Sequence, residues 1–382
     1  MRPAVEQFAA RTAAVAAGLK LDQAGGLSPS RFLQAWKALG RLGLLGLPFP
    51  AKFGGSGRSL SETAIALESL GRHAGFNCLA LSVGAQMWAV QTPLLKFGSP
   101  EQKRRFLAPL CRGRARAAPA VTEKEAGSDV LGMKGMAERR GASYLVNAQK
   151  SCVTHAPLAD FFLVWVRLAG RQGPMSLDCF VVPRNTRGLT TAAFRWEMGP
   201  AGAVSGTVSL KDCVLPASAR LGRECQGLTV FLYAMAQERR LILAPAVGAM
   251  ERRLEETAQF ARKRQQSGRP IASFQAVAHR LADMKIRLEA SRALLRQACL
   301  EHEDAFEAGG REPDDGRCAA VKAFLSESWV ANCLDAVEIR GAAGCLDAGL
   351  RAELGAALSS RLMSGTNDIQ KNLIAQRLGH VH

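Results

Sequence analysis

Tyrosine is nearly missing from this 382-residue chain, with two residues, and aromatics of all kinds reach only 6%. Acidic residues are also few: 33 against 50 Lys and Arg, for a formal net charge of +17. Ten cysteines are scattered singly, with no C-x-x-C pair and no nearby histidine. That spacing argues against a zinc site and against a disulfide framework. No apolar run approaches the roughly 18–20 residues of a membrane span. Residues 1–19 carry charges and amphipathic spacing in place of a signal peptide's apolar core. The expected setting is a reducing cytoplasm, without membrane or metal. The basic residues lack interleaved aromatics or a known motif, so no nucleic-acid partner is expected. An anionic cofactor or an acidic protein partner fits the charge equally well.

What is present is a core of ordinary size. Hydrophobic residues make up 48%, enough for two or three structural units. Helical signals fill residues 1–117. The stretch 30–45 is amphipathic, 59–70 resumes the helical period after a Gly-rich loop, and 81–97 is apolar throughout. Ser99-Pro100-Glu101-Gln102 combines an N-cap, a proline at the first helical position and a capping-box glutamine. The pattern changes at Ala117. Short runs of strand character follow at 144–146, 161–167, 179–182, 189–194 and 207–210, punctuated by Gly, Pro, Asn and Asp. From Leu228 the helical period returns. Val277, Leu281, Met284 and Leu288 form one stripe. A loop is expected at 309–316, and a helix over 317–339 broken at Gly341 to Gly344. The spacing predicts an α+β chain: an N-terminal helical domain over 1–117, a middle β domain over 118–222 and a C-terminal helical bundle over 223–382.

Near the end, Ser364-Gly365-Thr366-Asn367-Asp368-Ile369-Gln370 reads as a turn feeding a helix. Thr366 is the expected N-cap, Asp368 lies in the first turn, and the helix should run to about Leu378. Gly365 permits close backbone approach. Such a turn is suited to an anionic group, although the same residues would also serve as a plain cap.

Three other stretches bear on this turn: Thr122-Glu123-Lys124-Glu125-Ala126-Gly127-Ser128-Asp129, Asn147-Ala148-Gln149-Lys150-Ser151-Cys152-Val153-Thr154, and Ala261-Arg262-Lys263-Arg264-Gln265-Gln266. With these motifs in this order, the chain resembles the acyl-CoA dehydrogenase family over nearly its whole length. Within that family it is most similar to the branch acting on carrier-protein thioesters, which includes L-prolyl-(peptidyl carrier protein) dehydrogenases of pyrrole-forming pathways. The resemblance implies the family fold: helical N-terminal domain, β-barrel-like middle domain and C-terminal four-helix bundle. It implies FAD, and a thioester that loses an α-proton to a base and a β-hydride to the flavin. Thr122, Gly127, Ser128 and Thr154 should then face the flavin ring or ribityl chain, with Gly365 and Thr366 forming another wall. Arg264 and Gln266 match the position where a second subunit reaches the diphosphate, and Gly341 and Gly344 match a glycine turn near FAD. A homodimer or homotetramer is implied. The substrate is expected on an acyl or aminoacyl carrier protein or as a CoA thioester, and the electron acceptor is open between a flavoprotein and oxygen. An ordinary acyl-CoA dehydrogenase, a flavin monooxygenase and a non-catalytic binding protein are the competing readings.

The family's usual base is a Glu at the position of Ser364, and a serine hydroxyl does not take an α-proton unaided near neutral pH. Some members place the base on the helix that opens the C-terminal domain. Glu238, in Gln237-Glu238-Arg239-Arg240, matches that position and is the expected catalytic base; an ion pair with Arg239, Arg240 or another nearby cation is its alternative role. Four other departures stand out. Cys152 replaces a Trp packed on the flavin, Ser267 a Phe, Glu338 a Gln and Ala342 a Gly. Glu338 beside a diphosphate would be unfavourable unless it points away.

Overall fold

The computed structural model describes residues 3–19, 26–202, 205–303 and 314–379. The first helices are α1 (Pro3–Ala17), α2 (Pro29–Leu42), α3 (Leu60–Ala74), α4 (Cys78–Gln86), α5 (Thr92–Phe97), α6 (Pro100–Gln102) and α7 (Ala108–Cys111). Serine capping boxes start α3 and α6. Ser59 Oγ accepts from Glu62 N at 3.1 Å while Ser59 N donates to Glu62 Oε2 at 3.0 Å. Ser99 and Gln102 form the same reciprocal box. π-helical turns at Met87–Gln91 and Lys103–Leu107 join α4 to α5 and α6 to α7. The continuous run Cys78–Phe97 is 20 residues long and apolar enough, by length and composition, to cross a membrane. This corrects the expectation that no apolar run comes near that length. Nearly all of it is buried inside the fold's own core.

The sheet has seven strands: β1 (Ala117–Ala120), β2 (Met136–Arg140), β3 (Ser143–Thr154), β4 (Phe161–Leu168), β5 (Leu177–Pro183), β6 (Leu189–Phe194) and β7 (Ser205–Pro216). β4 is central, and its side chains alternate between two cores. Phe161, Leu163 and Trp165 join the large core shared with the helices. Phe162, Val164, Val166 and Leu168 fill the interior of the curled sheet. β1 runs parallel to β4 at Phe161 to Val164, and β2 runs parallel to it further on, at Arg167 and Leu168. The two strands therefore lie end to end along one edge of β4. The chain between them, 121–135, must leave the sheet and return. β1 and β2 escaped sequence reading because one is Ala-Ala-Pro-Ala and the other exposes all but one residue.

The remaining helices are α8 (Gly227–Leu241), α9 (Ala244–Lys263), α10 (Gln275–Leu300), α11 (Asp315–Arg340), α12 (Ala342–Leu346), α13 (Ala348–Ser360) and α14 (Asn367–Arg377). A hairpin of β8 (Gln265–Gln266) and β9 (Arg269–Pro270) separates α9 from α10. α8 to α11 are the four long helices of the bundle. Met284 and Leu288 of the expected stripe are fully buried, with Val277 and Leu281 packed beside them. Glu353 of α13 ties α9 to α11: it accepts from Arg253 Nη2 at 2.8 Å and from Trp329 Nε1 at 3.2 Å. α3 and α9 touch backbone to backbone, since a Cβ on Gly71 would lie 1.7 Å from the Pro245 carbonyl oxygen. Most of the loop expected at 309–316 lies outside the described residues.

Candidate active site

α8 begins on the sheet and ends inside the bundle. Trp165 Nε1 donates to the Gly227 carbonyl at 3.1 Å, and a Cβ on Gly227 would meet Asp178 Cα at 2.4 Å. Fixed at that end, the helix carries Glu238 on its last turn into a site where the residue is 8% exposed. Among the described residues Glu238 makes no salt bridge, so the ion-pair role does not apply. Arg239 Nη1 instead meets Asp315 Oδ1 at 2.9 Å, and Arg240 donates to Gln237. Burial pushes the Glu238 carboxyl up to about 7, against the opposing effects of Arg239, Ser364 and Lys322. At neutral pH the group is poised between acid and base forms, which suits a general base.

The turn ahead of α14 forms the opposite wall. Ser364 and Gly365 have φ of 57° and 86°. Two left-handed residues in succession turn the carbonyls inward, and glycine meets that geometry without a Cβ penalty. Arg239 Nε donates to the Ser364 carbonyl at 3.3 Å. Lys322 Nζ donates to the Gly365 carbonyl at 2.9 Å. Gln370 Nε2 donates to the carbonyls of Ser364, Gly365 and Thr366 at 3.2, 2.8 and 3.2 Å. Thr366 Oγ1 caps α14 by accepting from Ile369 N at 3.3 Å, as its place in the sequence predicts. Ser364 Oγ is buried without a hydrogen bond of ordinary geometry, yet it lies close enough to favour the Glu238 carboxylate.

The sheet side is organised by one buried pair. Lys150 Nζ on β3 meets Glu123 Oε1 at 2.7 Å and the Val121 carbonyl at 3.0 Å. The carboxylate also accepts from Lys134 N at 2.5 Å and Gly135 N at 2.9 Å. Burial opposes ionisation of Glu123, but the Lys150 and backbone N–H bonds win and hold it below its usual range. Both ends of the 121–135 excursion are thereby pinned to β3. Ser151 N donates to the Thr122 carbonyl at 2.8 Å, which brings the Thr122 and Thr154 segments together. Thr122 and Thr154 are half-buried, while Gly127 and Ser128 are exposed. Cys152 is exposed with φ of 55°, at a bulge where β3 shifts register against β7.

Arg264, Gln266, Gly341 and Gly344 do not join this group. α9 starts beside Glu238 and places Arg264 about 30 Å further on, at 1.5 Å per residue. α11 starts at Asp315, the partner of Arg239, and carries Gly341 to the same far end. There Arg340 stacks on Phe260, one turn before Arg264. Arg264 and Gln266 are exposed on the hairpin, whose turn Ser267-Gly268 has φ of 51° and 74°. Gly341 caps α11 with φ of 59° and ψ of −136°. Gly344 is buried, and a Cβ there would lie 2.8 Å from the Val337 carbonyl oxygen. Glu338 is ion-paired to Arg280 at 2.5 Å, which neutralises the charge that its position would otherwise set beside a phosphate.

These residues fit FAD in two halves. The sheet half offers hydroxyls and open backbone: a Cβ on Gly127 would meet nothing within 4 Å, and the loop's Glu123 is turned away to Lys150. The far half offers Arg264, which makes no salt bridge among the described residues, beside a glycine turn where a Cβ on Gly341 would also meet nothing within 4 Å. Sequence reading missed Lys150 with Glu123, Asp315 as the partner of Arg239, and Lys322. The Lys322 signal was available: a lone lysine in Ala-Ala-Val-Lys-Ala-Phe-Leu, where the neighbours are apolar.

Family models match in three consecutive pieces: the acyl-CoA dehydrogenase N-terminal domain at residues 1–114, the middle domain at 118–213 and the C-terminal domain at 225–379. The chain is 36% identical over 353 residues to an L-prolyl-[peptidyl-carrier protein] dehydrogenase of Pseudomonas fluorescens, covering 91% of each chain. Its fold superposes on the prolyl acyl carrier protein oxidase AnaB with a TM-score of 0.92, at 35% identity, over 99% of this chain and 100% of that one. An FAD complex of PigA gives a TM-score of 0.91 at 31% identity, over 100% and 98% of the two chains.

Proposed function

Because the chain belongs to the acyl-CoA dehydrogenase family, we propose that it is an FAD-dependent dehydrogenase of a thioester-bound aminoacyl group held on a carrier protein, with prolyl as the aminoacyl group. The observation that carries the mechanism is Glu238. It is the buried carboxylate of the site, free of any salt bridge among the described residues, and its pKa of about 7 leaves much of it ionised at neutral pH. In this reading Glu238 removes the α-proton of the thioester. Bound FAD would supply the acceptor for the β-hydride. Ser364, in the place of the family's usual base, leaves that task to Glu238 and stabilises the carboxylate form. Thr122, Gly127, Ser128 and Thr154, with the Gly365–Thr366 turn, hold the flavin ring and ribityl chain. Burial of Glu238 keeps bulk water from the carboxylate, so charges beside it act at low dielectric.

The length of α9, about 30 Å at 1.5 Å per residue, sets Arg264 far from Glu238 and supports an oligomer. One chain supplies base and ring wall, while a second copy supplies Arg264, Gln266, Gly341 and Gly344 to the diphosphate end. The forked guanidinium of Arg264 suits a diphosphate. The net charge of +17 favours encounter with an acidic carrier protein.

The deciding experiment is mass spectrometry of prolyl carrier protein after incubation with the holoenzyme and an electron acceptor. Loss of two or four hydrogens from the prolyl group is expected, and none with the Glu238→Gln variant. Oxidation confined to acyl-CoA controls would overturn the carrier-protein assignment in favour of an ordinary acyl-CoA dehydrogenase.

A further inference from the structure

Lys322 is 0% exposed and sits two turns into α11. Its ammonium donates to three acceptors: the Arg361 carbonyl at 3.0 Å, the Gly365 carbonyl at 2.9 Å and Asn367 Oδ1 at 2.8 Å. All three are neutral, and Lys322 makes no salt bridge among the described residues. A buried ammonium bonded only to dipoles is costly to hold unless a compensating charge stands nearby. Lys322 and Glu238 each act on the other's ionisation. Arg239, the other cation beside Glu238, already has Asp315 as its partner.

We propose that Lys322 is a positioning residue for proton abstraction: it braces the 361–367 turn so that Ser364 lies against Glu238, and its ammonium adds to Arg239 a second counter-charge that favours the Glu238 carboxylate. The inference rests on the reading of Glu238 as base.

Two features of the geometry support both halves of this role. The bracing is specific, because all three acceptors lie on one seven-residue stretch. Asn367 is itself held in place: its Nδ2 donates to Ser326 Oγ at 3.0 Å, one turn along α11 from Lys322. A small number of charged groups stand around the pair. On α8 stand Glu238 and Arg239, and on α11 Asp315 and Glu327. Arg361 lies on the turn, and Lys371 of α14 pairs with Glu327 at 3.1 Å. Arg239 and Lys371 each hold an acid; Arg239 still favours the Glu238 carboxylate more than Lys322 does, and Lys322 adds a second favouring charge. Burial lowers the Lys322 ammonium to about 7, with Arg239 and Arg361 acting in the same sense. The two members of the pair therefore titrate over the same range.

The test uses FAD-loaded wild type, Lys322→Met, Lys322→Arg and Glu238→Gln. The rate of flavin reduction by prolyl carrier protein is followed from pH 5.5 to 9.5. Removing the cation should move the acid limb of the Met variant upward by about one pH unit, so that the rate at pH 7 falls roughly fivefold while the rate at pH 9.5 stays near wild type. Arginine, which keeps the charge, should restore the limb. An independent readout is an infrared titration of the carboxylic acid band that Glu238→Gln removes; its midpoint should rise in Lys322→Met without substrate present. An unshifted limb and an unshifted band in a folded Lys322→Met protein overturn the proposal and leave the lysine a structural strut. If Lys322→Met does not fold, the Arg variant decides, because a limb displaced there despite a retained cation refutes the charge role. Full turnover by Glu238→Gln instead sinks the base assignment itself, a failure distinct from the other two.

Discussion

Glu238→Gln should separate catalysis from stability in opposite directions. The substitution keeps size and hydrogen-bonding capacity but cannot accept a proton near neutral pH. A positioned general base contributes roughly 10²- to 10⁴-fold, so flavin reduction by prolyl carrier protein should slow by about that factor. The stability effect follows from the same burial. The folded-state pKa is raised from 4.5 to about 7, so between those values the folded chain binds a proton that the unfolded chain has lost. Stability from this group is therefore complete below about 4.5 and is lost as pH rises to about 7. At 1.36 kcal/mol per pH unit the rise amounts to about 3 kcal/mol. The glutamine variant avoids this loss. At pH 8 its melting temperature should exceed wild type by a few degrees, and the difference should close by pH 4.5. The assays are stopped-flow flavin bleaching and thermal melts at the two pH values. A variant that is slower but melts below wild type at pH 8 would show that Glu238 is a stabilised structural carboxylate, and the reasoning from burial would be wrong.

Lys150→Met should leave Glu123 buried without its partner and destabilise the chain by about 3–5 kcal/mol; denaturant melts should show Glu123→Leu/Lys150→Met recovering much of that loss. Gly71→Ala forces a Cβ to 1.7 Å from the Pro245 carbonyl oxygen, so this single methyl group should prevent α3 from packing on α9 and lower soluble yield, whereas the same substitution at Gly127 should leave the melting temperature unchanged and alter flavin retention. Arg264→Ala, at an exposed residue, should shift stability by no more than about 0.5 kcal/mol but raise the FAD dissociation constant, read by flavin fluorescence on dialysis.

Much of the frame was legible in the chain. Hydroxyl caps at Ser99 and Thr366 mark helix starts because local hydrogen bonds to the next turn need nothing from the rest of the fold. β4 and β5 show as continuous apolar runs because both their faces are buried, and β1 and β2 do not because one is small and the other is exposed. The motif order located the loop at Thr122 and the turn at Ser364, and the pairing of Ser364 with Glu238 directed attention to α8. The length of Cys78–Phe97 as one continuous helix was not legible, since its π turn adds no sequence signal that marks continuation.

The sequence by itself determined the candidates for the chemistry: a glutamate on α8, a serine where another base would stand, hydroxyls along the 121–154 region and an arginine after α9. Those identities are local facts of order and spacing. Only the tertiary structure decided what each can do. Burial lifts Glu238 to about 7 against Arg239, Ser364 and Lys322, Asp315 pairs with Arg239, and α9 carries Arg264 about 30 Å along its length from the end near Glu238. Charge state and reach depend on which helices pack against which, and that is set by long-range contacts such as Gly71 on Pro245 rather than by any stretch of neighbouring residues.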